Sequence, residues 1–277
     1  MRQPPVALTI AGSDSGGGAG IQADLHTFAA HRVHGTSVVT AVTAQNTRGV
    51  TDAHAIPVGV VRAQLEAVLT DLDVEAVKTG MLGGERVLEL VAGYGRAGRL
   101  PQLVVDPVMV TTSGDKLFSG DPASYLGRLG PLAAVLTPNL PEAEQLLGRA
   151  IESVEDMREA ARALADCGPR AVMVKGGHAP KAGAGSDAVA MVTDVLWCEG
   201  RMLDLRAPRV ETANTHGTGC TLAAAIAARL ALGRPLVQAV SEAKDYVNEA
   251  LRSAADWKLG AGPGPVHHHH GGQSAVR

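Results

Sequence analysis

The sequence has few aromatic residues, few cysteines and no long apolar run. Aromatics make up 3% of the 277 residues and hydrophobic residues 45%, so Val, Leu, Ile and Ala must fill the core, as in a parallel sheet covered by helices. The three cysteines lack C-x-x-C spacing, which argues against disulfides or a zinc site and suits a reducing cytoplasm. No stretch approaches the ~18 apolar residues of a membrane span.

The sequence also lacks a strong excess of charge of one sign and the common nucleotide-binding motifs. The formal net charge is -3 without a run of like charges, so we expect small molecules as partners rather than nucleic acid or a membrane. No Walker A motif occurs. The glycine-rich residues 12–20 lack the G-x-G-x-x-G register, and no acidic residue ends the next strand, which argues against a dinucleotide-dependent oxidoreductase.

Short apolar runs alternate with segments of helical periodicity. The runs predict strands at residues 6–10, 36–42, 76–79, 103–106, 133–137 and 171–174. Residues 188–207 contain two runs joined through Glu199-Gly200, which predicts an antiparallel hairpin. We therefore expect an α/β domain over residues 1–260, with a mostly parallel sheet, helices on both faces and an antiparallel edge. Residues 261–277, including VHHHHGG, are expected to be a loosely ordered tail without a specific metal site.

Polar, glycine-rich loops follow the predicted strands, where open α/β sheets bind their ligands. The segment HGTGC, residues 216–220, stands at a predicted helix start. The backbone N–H groups of Gly217, Thr218, Gly219 and Cys220 would form an anion hole there that suits a phosphoryl group. A glycine-rich helix entry is the structural alternative. Lys175 in VKGGH follows a strand, and only six of the 25 basic residues are lysines, so we expect it to reach a nucleotide phosphate.

Three residues at strand ends carry oxygen atoms that suit Mg²⁺. Asn139 and Glu142 in TPNLPE could hold the ion directly or through waters. The same pair also fits a helix capping box. Asp106 before Pro107 is either a third ligand or a turn former.

Three side chains indicate an acceptor pocket. Gln45 has an amide that both donates and accepts, as pairing with an aminopyrimidine edge requires. Asp24 could accept from a hydroxyl or ring amine, and Met81 could pack on a flat ring. Each also has a structural interpretation, as turn residue, first-turn acid and core residue respectively.

The ordered set of motifs resembles a known family. These are GSDSGGGAGIQAD, TAVTAQNTRGV, KTGML, DPVMVTTSG, TPNLPEAE, VKGGH, NTHGTGCTLAAAIA and GPVHHHH. They resemble the bacterial hydroxymethylpyrimidine/phosphomethylpyrimidine kinases of thiamine biosynthesis, within the ribokinase-like superfamily. The resemblance runs from about residue 6 to residue 268 and implies a three-layer ribokinase-like sandwich.

The resemblance implies an activity and roles for the residues. The expected enzyme uses ATP and Mg²⁺ to phosphorylate 4-amino-5-hydroxymethyl-2-methylpyrimidine and then its monophosphate. Gln45 would hold the pyrimidine edge in a pocket lined by Gly12, Asp24 and Met81. Lys175 would contact the ATP phosphates, with Asn139 and Glu142 in the metal shell and residues 217–220 as the anion hole. A cytoplasmic homodimer is also implied.

Cys220 departs from the wider superfamily, where an aspartate base is usual. A thiol at a helix start can have a lowered pKa, so Cys220 either accepts a proton or is only a neighbour of the anion hole. Which residues receive the first phosphate stays open between His216 and Lys116. Two alternatives remain: a pyridoxine/pyridoxal kinase of the same fold, and a non-catalytic binding protein, against which Lys175, Asn139 and Glu142 argue.

Overall fold

The structure, a computed structural model, describes residues 3–109, 117–177 and 190–272. Residues 110–114 of the DPVMVTTSG stretch, Lys116, the first residues of the predicted hairpin and residues 273–277 lie outside the described residues.

Nine strands within the described ranges form one sheet. They are β1 (Val6–Asp14), β2 (His34–Asn46), β3 (Gly49–Ala55), β4 (Val74–Thr79), β5 (Val104–Val105), β6 (Val135–Leu136), β7 (Ala171–Val174), β8 (Met191–Cys198) and β9 (Arg201–Pro208). The order across the sheet is β3-β2-β1-β4-β5-β6-β7-β8-β9. The six central strands, β2-β1-β4-β5-β6-β7, pair parallel with one another. Strands β3, β8 and β9 pair antiparallel with their neighbours.

The predicted mostly parallel sheet and the β8–β9 hairpin are confirmed. Glu199 and Gly200 both have positive φ, 49° and 82°, as a tight two-residue hairpin turn requires. Strand β3 lies outside the apolar runs from which the strands were predicted. Most of β3 is exposed, so it has no apolar alternation that could have indicated a strand.

Eight α-helices within the described ranges cover the sheet. They are α1 (Gly20–Ala30), α2 (Val58–Leu69), α3 (Glu85–Arg96), α4 (Pro122–Leu129), α5 (Leu140–Leu147), α6 (Val154–Ala165), α7 (Thr218–Ala231) and α8 (Leu236–Ser253). None of the helices described is long and apolar enough to cross a membrane.

Alternate residues of the central strands face two separate cores. Leu8 and Val77 belong to the cluster with α2 to α6, whereas their neighbours Ala7 and Ala76 belong to the cluster with α7 and α8. This is the alternation that a pleated strand imposes. Six consecutive residues of α7, 223–228, are fully buried, and five of them are alanines. Small side chains let this helix lie close to the sheet.

The chain after Gly260 differs from the expected loose tail. Val266 and His268 are 1% and 6% exposed. The Tyr246 hydroxyl donates to the His268 carbonyl oxygen at 2.6 Å. Residues 261–271 therefore lie against the domain, because apolar and aromatic contacts hold them there.

A buried ion pair joins α8 to the sheet. Lys244 Nζ lies 2.5 Å from Asp194 Oδ2 on β8, and both residues are buried. Asp194 Oδ1 accepts the Gly176 N–H at 2.7 Å, in the loop that carries Lys175. Removing one partner from a buried pair leaves an uncompensated charge, which costs more than the pair contributes.

We expect Lys244→Met to lower the free energy of unfolding by about 3–5 kcal/mol, because Asp194 would stay buried without its cation. Urea denaturation followed by circular dichroism measures this change. Arg252→Met on the same helix is the control, since Arg252 pairs with Glu249 on an exposed surface and should cost less than about 1 kcal/mol. Equal effects of the two substitutions would contradict this view of the pair.

Candidate active site

The loops after the parallel strands meet at the carboxyl edge of the sheet, as the sequence predicts. Lys175, after β7, lies 2.8 Å from Asp106, after β5. A bridge pairs Asn139, after β6, with Lys175. On the other side, His216 Nε2 lies 2.9 Å from Asp14 Oδ2 at the end of β1. Residues far apart in the chain thus share one edge.

Lys175 lies at the centre of the phosphate side of this edge. Its Nζ donates to Asp106 Oδ1 at 2.8 Å and lies 3.9 Å from Glu142 Oε2. The same Asp106 oxygen accepts from the Thr137 hydroxyl at 3.1 Å. A methyl group on Gly219 would lie 3.3 Å from Lys175 Nζ. The ammonium group is therefore beside the first turn of α7, at the predicted anion hole.

Burial and charge set the protonation of this cluster. Burial by itself would lower the pKa of Lys175, but Asp106 and Glu142 raise it above its ordinary value, so the side chain is a cation. Burial raises the pKa of Glu142 to about 7, against the opposing effect of Lys175 and with Asp106 adding to the rise. A further cation placed here would favour the ionised Glu142.

Two of the three predicted metal residues come together. Asp106 Oδ2 and Glu142 Oε1 have no hydrogen-bond partner among the residues that the structure describes. Two carboxylate oxygens fit Mg²⁺, which usually takes one or two carboxylates and keeps its waters and phosphate ligands. No group of three His, Cys, Asp or Glu side chains suited to a metal occurs in the described ranges.

Asn139 has the structural role that the sequence left open. Its Oδ1 accepts the Glu142 N–H at 2.9 Å, and Glu142 Oε2 accepts the Asn139 N–H at 2.8 Å. These two bonds form the capping box of α5. The Asn139 side chain therefore caps the N-terminus of α5 and holds Glu142 in place.

The first turn of α7 depends on a close backbone approach. Gly217 has φ 77°, and a side chain there would clash with the Gly18 carbonyl oxygen. The Thr218 N–H donates to the Thr215 carbonyl at 3.2 Å, so this donor of the predicted anion hole is already used. The next N–H groups of this turn, beginning with that of Gly219, have no acceptor within the helix, as is usual at a helix start.

Cys220 is half-buried on this turn. Burial raises the pKa of its thiol to about 11; the Lys78 ammonium opposes this shift, while the Asp24 and Asp106 carboxylates add to it. The lowered pKa considered for a thiol at a helix start is therefore wrong for Cys220. At neutral pH the group is a thiol rather than a thiolate.

Asp24 and Lys78 form a fully buried pair below the edge. Lys78 Nζ donates to both carboxylate oxygens of Asp24, at 3.0 and 2.9 Å, and the Thr9 hydroxyl donates to Asp24 at 2.6 Å. Asp24 raises the pKa of Lys78 against the effect of burial. Neither side chain is exposed, so the predicted contact of Asp24 with the acceptor is not available in this conformation.

Lys78 was not singled out from the sequence. It stands in the KTGM stretch at the end of β4, and the field of its ammonium group acts on Cys220. A lysine directly after the apolar residues Ala76 and Val77 of a predicted strand is the signal that would have indicated a buried cation with a carboxylate partner.

Gln45, Gly12 and Met81 are the other residues that the sequence predicts for the acceptor pocket. Gln45 is half-buried, and its Oε1 accepts from the Thr43 hydroxyl at 3.0 Å. Gln45 Nε2 lies 3.4 Å from His216 Nε2. Any side chain on Gly12 would clash with the terminal methyl of Met81. Met81 therefore lies directly over the glycine, where a flat ring could also approach.

Asp14 organises the glycine-rich loop and was missed by the sequence analysis. Its carboxylate accepts the N–H groups of Gly16, Gly18 and Ala19 at 2.8, 3.1 and 2.9 Å. It also contacts His216. Burial would raise the pKa of Asp14, but these partners hold it below its ordinary value. An aspartate before several glycines is the signal that could have indicated such a loop.

A groove of about 910 Å³ lies elsewhere, between α2 and α3. Most of the ionic side chains within it pair with one another, for example Arg99 with Glu66 and Arg128 with Glu85. We place the functional site at the carboxyl edge instead, because the buried cations and helix start are there.

Comparison with known proteins identifies the family of this chain. The family model described as phosphomethylpyrimidine kinase matches residues 14–267. The hydroxymethylpyrimidine/phosphomethylpyrimidine kinase of Rhizobium meliloti is 52% identical over 268 residues, covering 96% of this chain and 97% of that protein.

Two solved structures are similar over most of the chain. The pyridoxal kinase from Staphylococcus aureus, in complex with AMP-PCP and pyridoxal, is 35% identical with a TM-score of 0.86 and covers 99% of this chain and 96% of that chain. The phosphomethylpyrimidine kinase from Clostridium difficile is 38% identical with a TM-score of 0.76, over 89% and 99% of the two chains. The resemblance drawn from the motifs is thus confirmed, and the chain belongs to the phosphomethylpyrimidine kinase family.

Proposed function

We propose that this protein transfers the γ-phosphoryl group of ATP to the hydroxymethyl group of 4-amino-5-hydroxymethyl-2-methylpyrimidine, and then phosphorylates the monophosphate. The observation that carries the proposal is the position of Lys175 Nζ beside Gly219 in the first turn of α7. A largely buried cation and a helix start would then face the same phosphoryl group. Such groups stabilise the charge of phosphoryl transfer without reorganising during the reaction.

The donor side would hold ATP through charge. Lys175 would contact the phosphates, and Asp106 and Glu142 would hold Mg²⁺ through their free oxygens and through waters. When bound, Mg²⁺ neutralises charge on the β- and γ-phosphates. The Asp106–Lys175 contact of 2.8 Å keeps the ammonium group in place before the nucleotide arrives. Positioning of this kind lowers the entropic cost of the reaction.

The acceptor side would hold the ring through Gln45. The Thr43 hydroxyl lies 3.0 Å from Gln45 Oε1 and 2.8 Å from the Ser13 carbonyl oxygen, so the two oxygens share its single proton. The Gln45 amide would pair with the ring nitrogen and exocyclic amine of an aminopyrimidine. Gly12 and Met81 would form the flat floor. Asp24 would not touch the ring; its role would be to hold the buried Lys78 ammonium group.

Cys220 would act as a neutral thiol. Burial and two carboxylates keep its pKa at about 11, so a base role would need an ionisation that is rare at pH 7. Its place on the first turn of α7 instead puts a small, weakly polar group next to the transferring phosphoryl group. The acceptor hydroxyl would pass its proton to an oxygen of the transferred phosphoryl group as its oxygen bonds to phosphorus and the bond from phosphorus to ADP breaks.

A cytoplasmic location and a homodimer are part of the same proposal. They are supported by the family resemblance alone and are not needed for the chemistry described above.

We expect Lys175→Met to lower kcat/KM by about 100-fold or more, because removing a charge-assisted contact to a transferring phosphoryl group typically costs about 3 kcal/mol. Coupled detection of ADP measures the rate. The matched control is Lys258→Met, since Lys258 is exposed and should leave the rate within about twofold. A Lys175→Met enzyme with normal kcat/KM would remove Lys175 from the proposed mechanism.

The pH dependence of kcat tests the role of Cys220. A base with a pKa of about 11 would make kcat rise about tenfold per pH unit between pH 7.5 and 9.5, because the thiolate fraction rises that way. We expect a flat profile instead, and the same profile for Cys220→Ser. A tenfold rise per unit that disappears in Cys220→Ser would show that the thiolate is the base. An unchanged kcat in Cys220→Ala would remove Cys220 from the catalytic residues.

Substrate preference separates the proposal from a pyridoxal kinase. We expect kcat/KM with the hydroxymethylpyrimidine to exceed that with pyridoxal by about tenfold or more, because the Gln45 amide matches an aminopyrimidine edge. ATP consumption with each compound, measured at equal concentrations, decides this. Equal values would contradict the proposed specificity.

A further inference from the structure

We propose that residues 260–268, named here the C-terminal segment, position the acceptor side of the active site. The inference rests on the proposed function. The segment crosses the carboxyl edge of the sheet and contacts three of the loops that meet there. The contacts are made by backbone groups of the segment and by the side chains of Pro265 and His268.

The first contact is with the turn between β2 and β3. Thr47 Oγ1 accepts the N–H groups of Ala261 and Gly262 at 3.2 and 3.1 Å. Gly262 lies so close that any side chain there would clash with the Thr47 carbonyl oxygen. Thr47 is two residues after Gln45, so this contact fixes the end of the strand that carries the proposed pyrimidine ligand.

The second contact is with the loop before α7. Asn214 is buried, its Oδ1 accepts the Gly264 N–H at 3.0 Å, and its Nδ2 donates to the carbonyl oxygens of Ala254 and Trp257 at 2.7 and 2.9 Å. The His216 N–H donates to the Gly264 carbonyl at 3.1 Å. Gly264 therefore pairs with both Asn214 and His216, immediately before the anion hole.

The third contact is with the glycine-rich loop after β1. A methyl group on Gly18 would lie 3.2 Å from Pro265 Cβ and would clash with the His216 ring as well. Pro265 and His216 therefore lie against the same glycine. Asp14 binds the Gly18 N–H, and Pro265 of the segment packs against the same glycine. The loop is therefore held by both contacts.

His268 anchors the end of the segment to α7. The Thr221 hydroxyl donates to the Gly217 carbonyl at 2.8 Å and lies 3.0 Å from His268 Nε2. Because the single hydroxyl proton is used, His268 Nε2 must carry the proton that joins the two side chains. Tyr246 donates to the His268 carbonyl. The anchor thus reaches the residue that begins the anion hole.

The donor side has no such attachment. The hydrogen bonds and ion pairs of Asp106, Glu142 and Lys175 among the described residues are made with each other and with neighbouring strand ends. The C-terminal segment therefore restrains the loops of Gln45 and His216 relative to each other. Loss of its contact with Thr47 should weaken binding of the pyrimidine and leave binding of ATP unchanged, because His268 still anchors the segment to α7.

Thr47→Val tests the proposal, because it keeps the shape of the side chain and removes the acceptor of two hydrogen bonds. We expect KM for the hydroxymethylpyrimidine to rise about tenfold, with KM for ATP within about twofold of the original. Thr51→Val is the matched control. Its exposed hydroxyl donates to Ala44 on the same hairpin, and the substitution should change neither KM.

Gly262→Ala supplies a second variant that alters the segment and leaves the loops of the domain untouched. The added methyl would clash with Thr47, so the segment should be displaced and the KM values should change as in Thr47→Val. Hydrogen exchange of the amides of residues 261–268 reports the displacement independently of activity. We expect faster exchange in both variants and normal exchange in Thr51→Val.

The possible outcomes separate this inference from the proposed function. A rise in both KM values together, or an unchanged pyrimidine KM in a variant whose segment exchanges faster, would overturn the inference. Unchanged exchange in both variants would overturn it too, because the contacts would not hold the segment. Failure of the unsubstituted enzyme to phosphorylate the pyrimidine would overturn the proposed function alone.

Discussion

The active-site edge depends on the close approach of Gly217 to the Gly18 carbonyl oxygen. This approach is possible because neither residue has a side chain and because Gly217 adopts a positive φ of 77°. It brings the first turn of α7 against the loop of β1. The alanines of α7 are fully buried against the sheet. This packing fixes the position of the helix start relative to the strand ends. The donor and acceptor loops face each other across this turn.

Charge below the edge is neutralised in pairs. Lys78 binds Asp24, Lys175 binds Asp106, and Lys244 binds Asp194. Burying a charge alone would cost far more than the protein's net stability allows, so each buried lysine requires its carboxylate. The carboxylates also act on Cys220 and help to keep it protonated. Burial is the main cause of the raised pKa of Cys220, and the Lys78 ammonium group opposes it.

The two sides of the site are supported by different parts of the chain. Strand ends β5 to β7 and the start of α5 carry the donor side, where Asn139 caps the helix and orients Glu142. The acceptor side is built from β1, β2 and the loop before α7, and the C-terminal segment joins them. Since the supports are separate, substitutions far from the chemistry can change the binding of one substrate and not the other.

The sequence by itself determined a mostly parallel sheet with helices on both faces, the β8–β9 hairpin and the meeting of polar loops at one edge. These follow from local periodicity and turn chemistry, which a short window of residues contains. The exposed strand β3 has no such periodicity. Only the tertiary structure decided that Asp24 faces Lys78 rather than the acceptor, that Cys220 stays protonated and that residues 260–268 lie across the site. Each depends on partners from 50 to more than 200 positions away in the chain, and burial sets the charge that such partners carry.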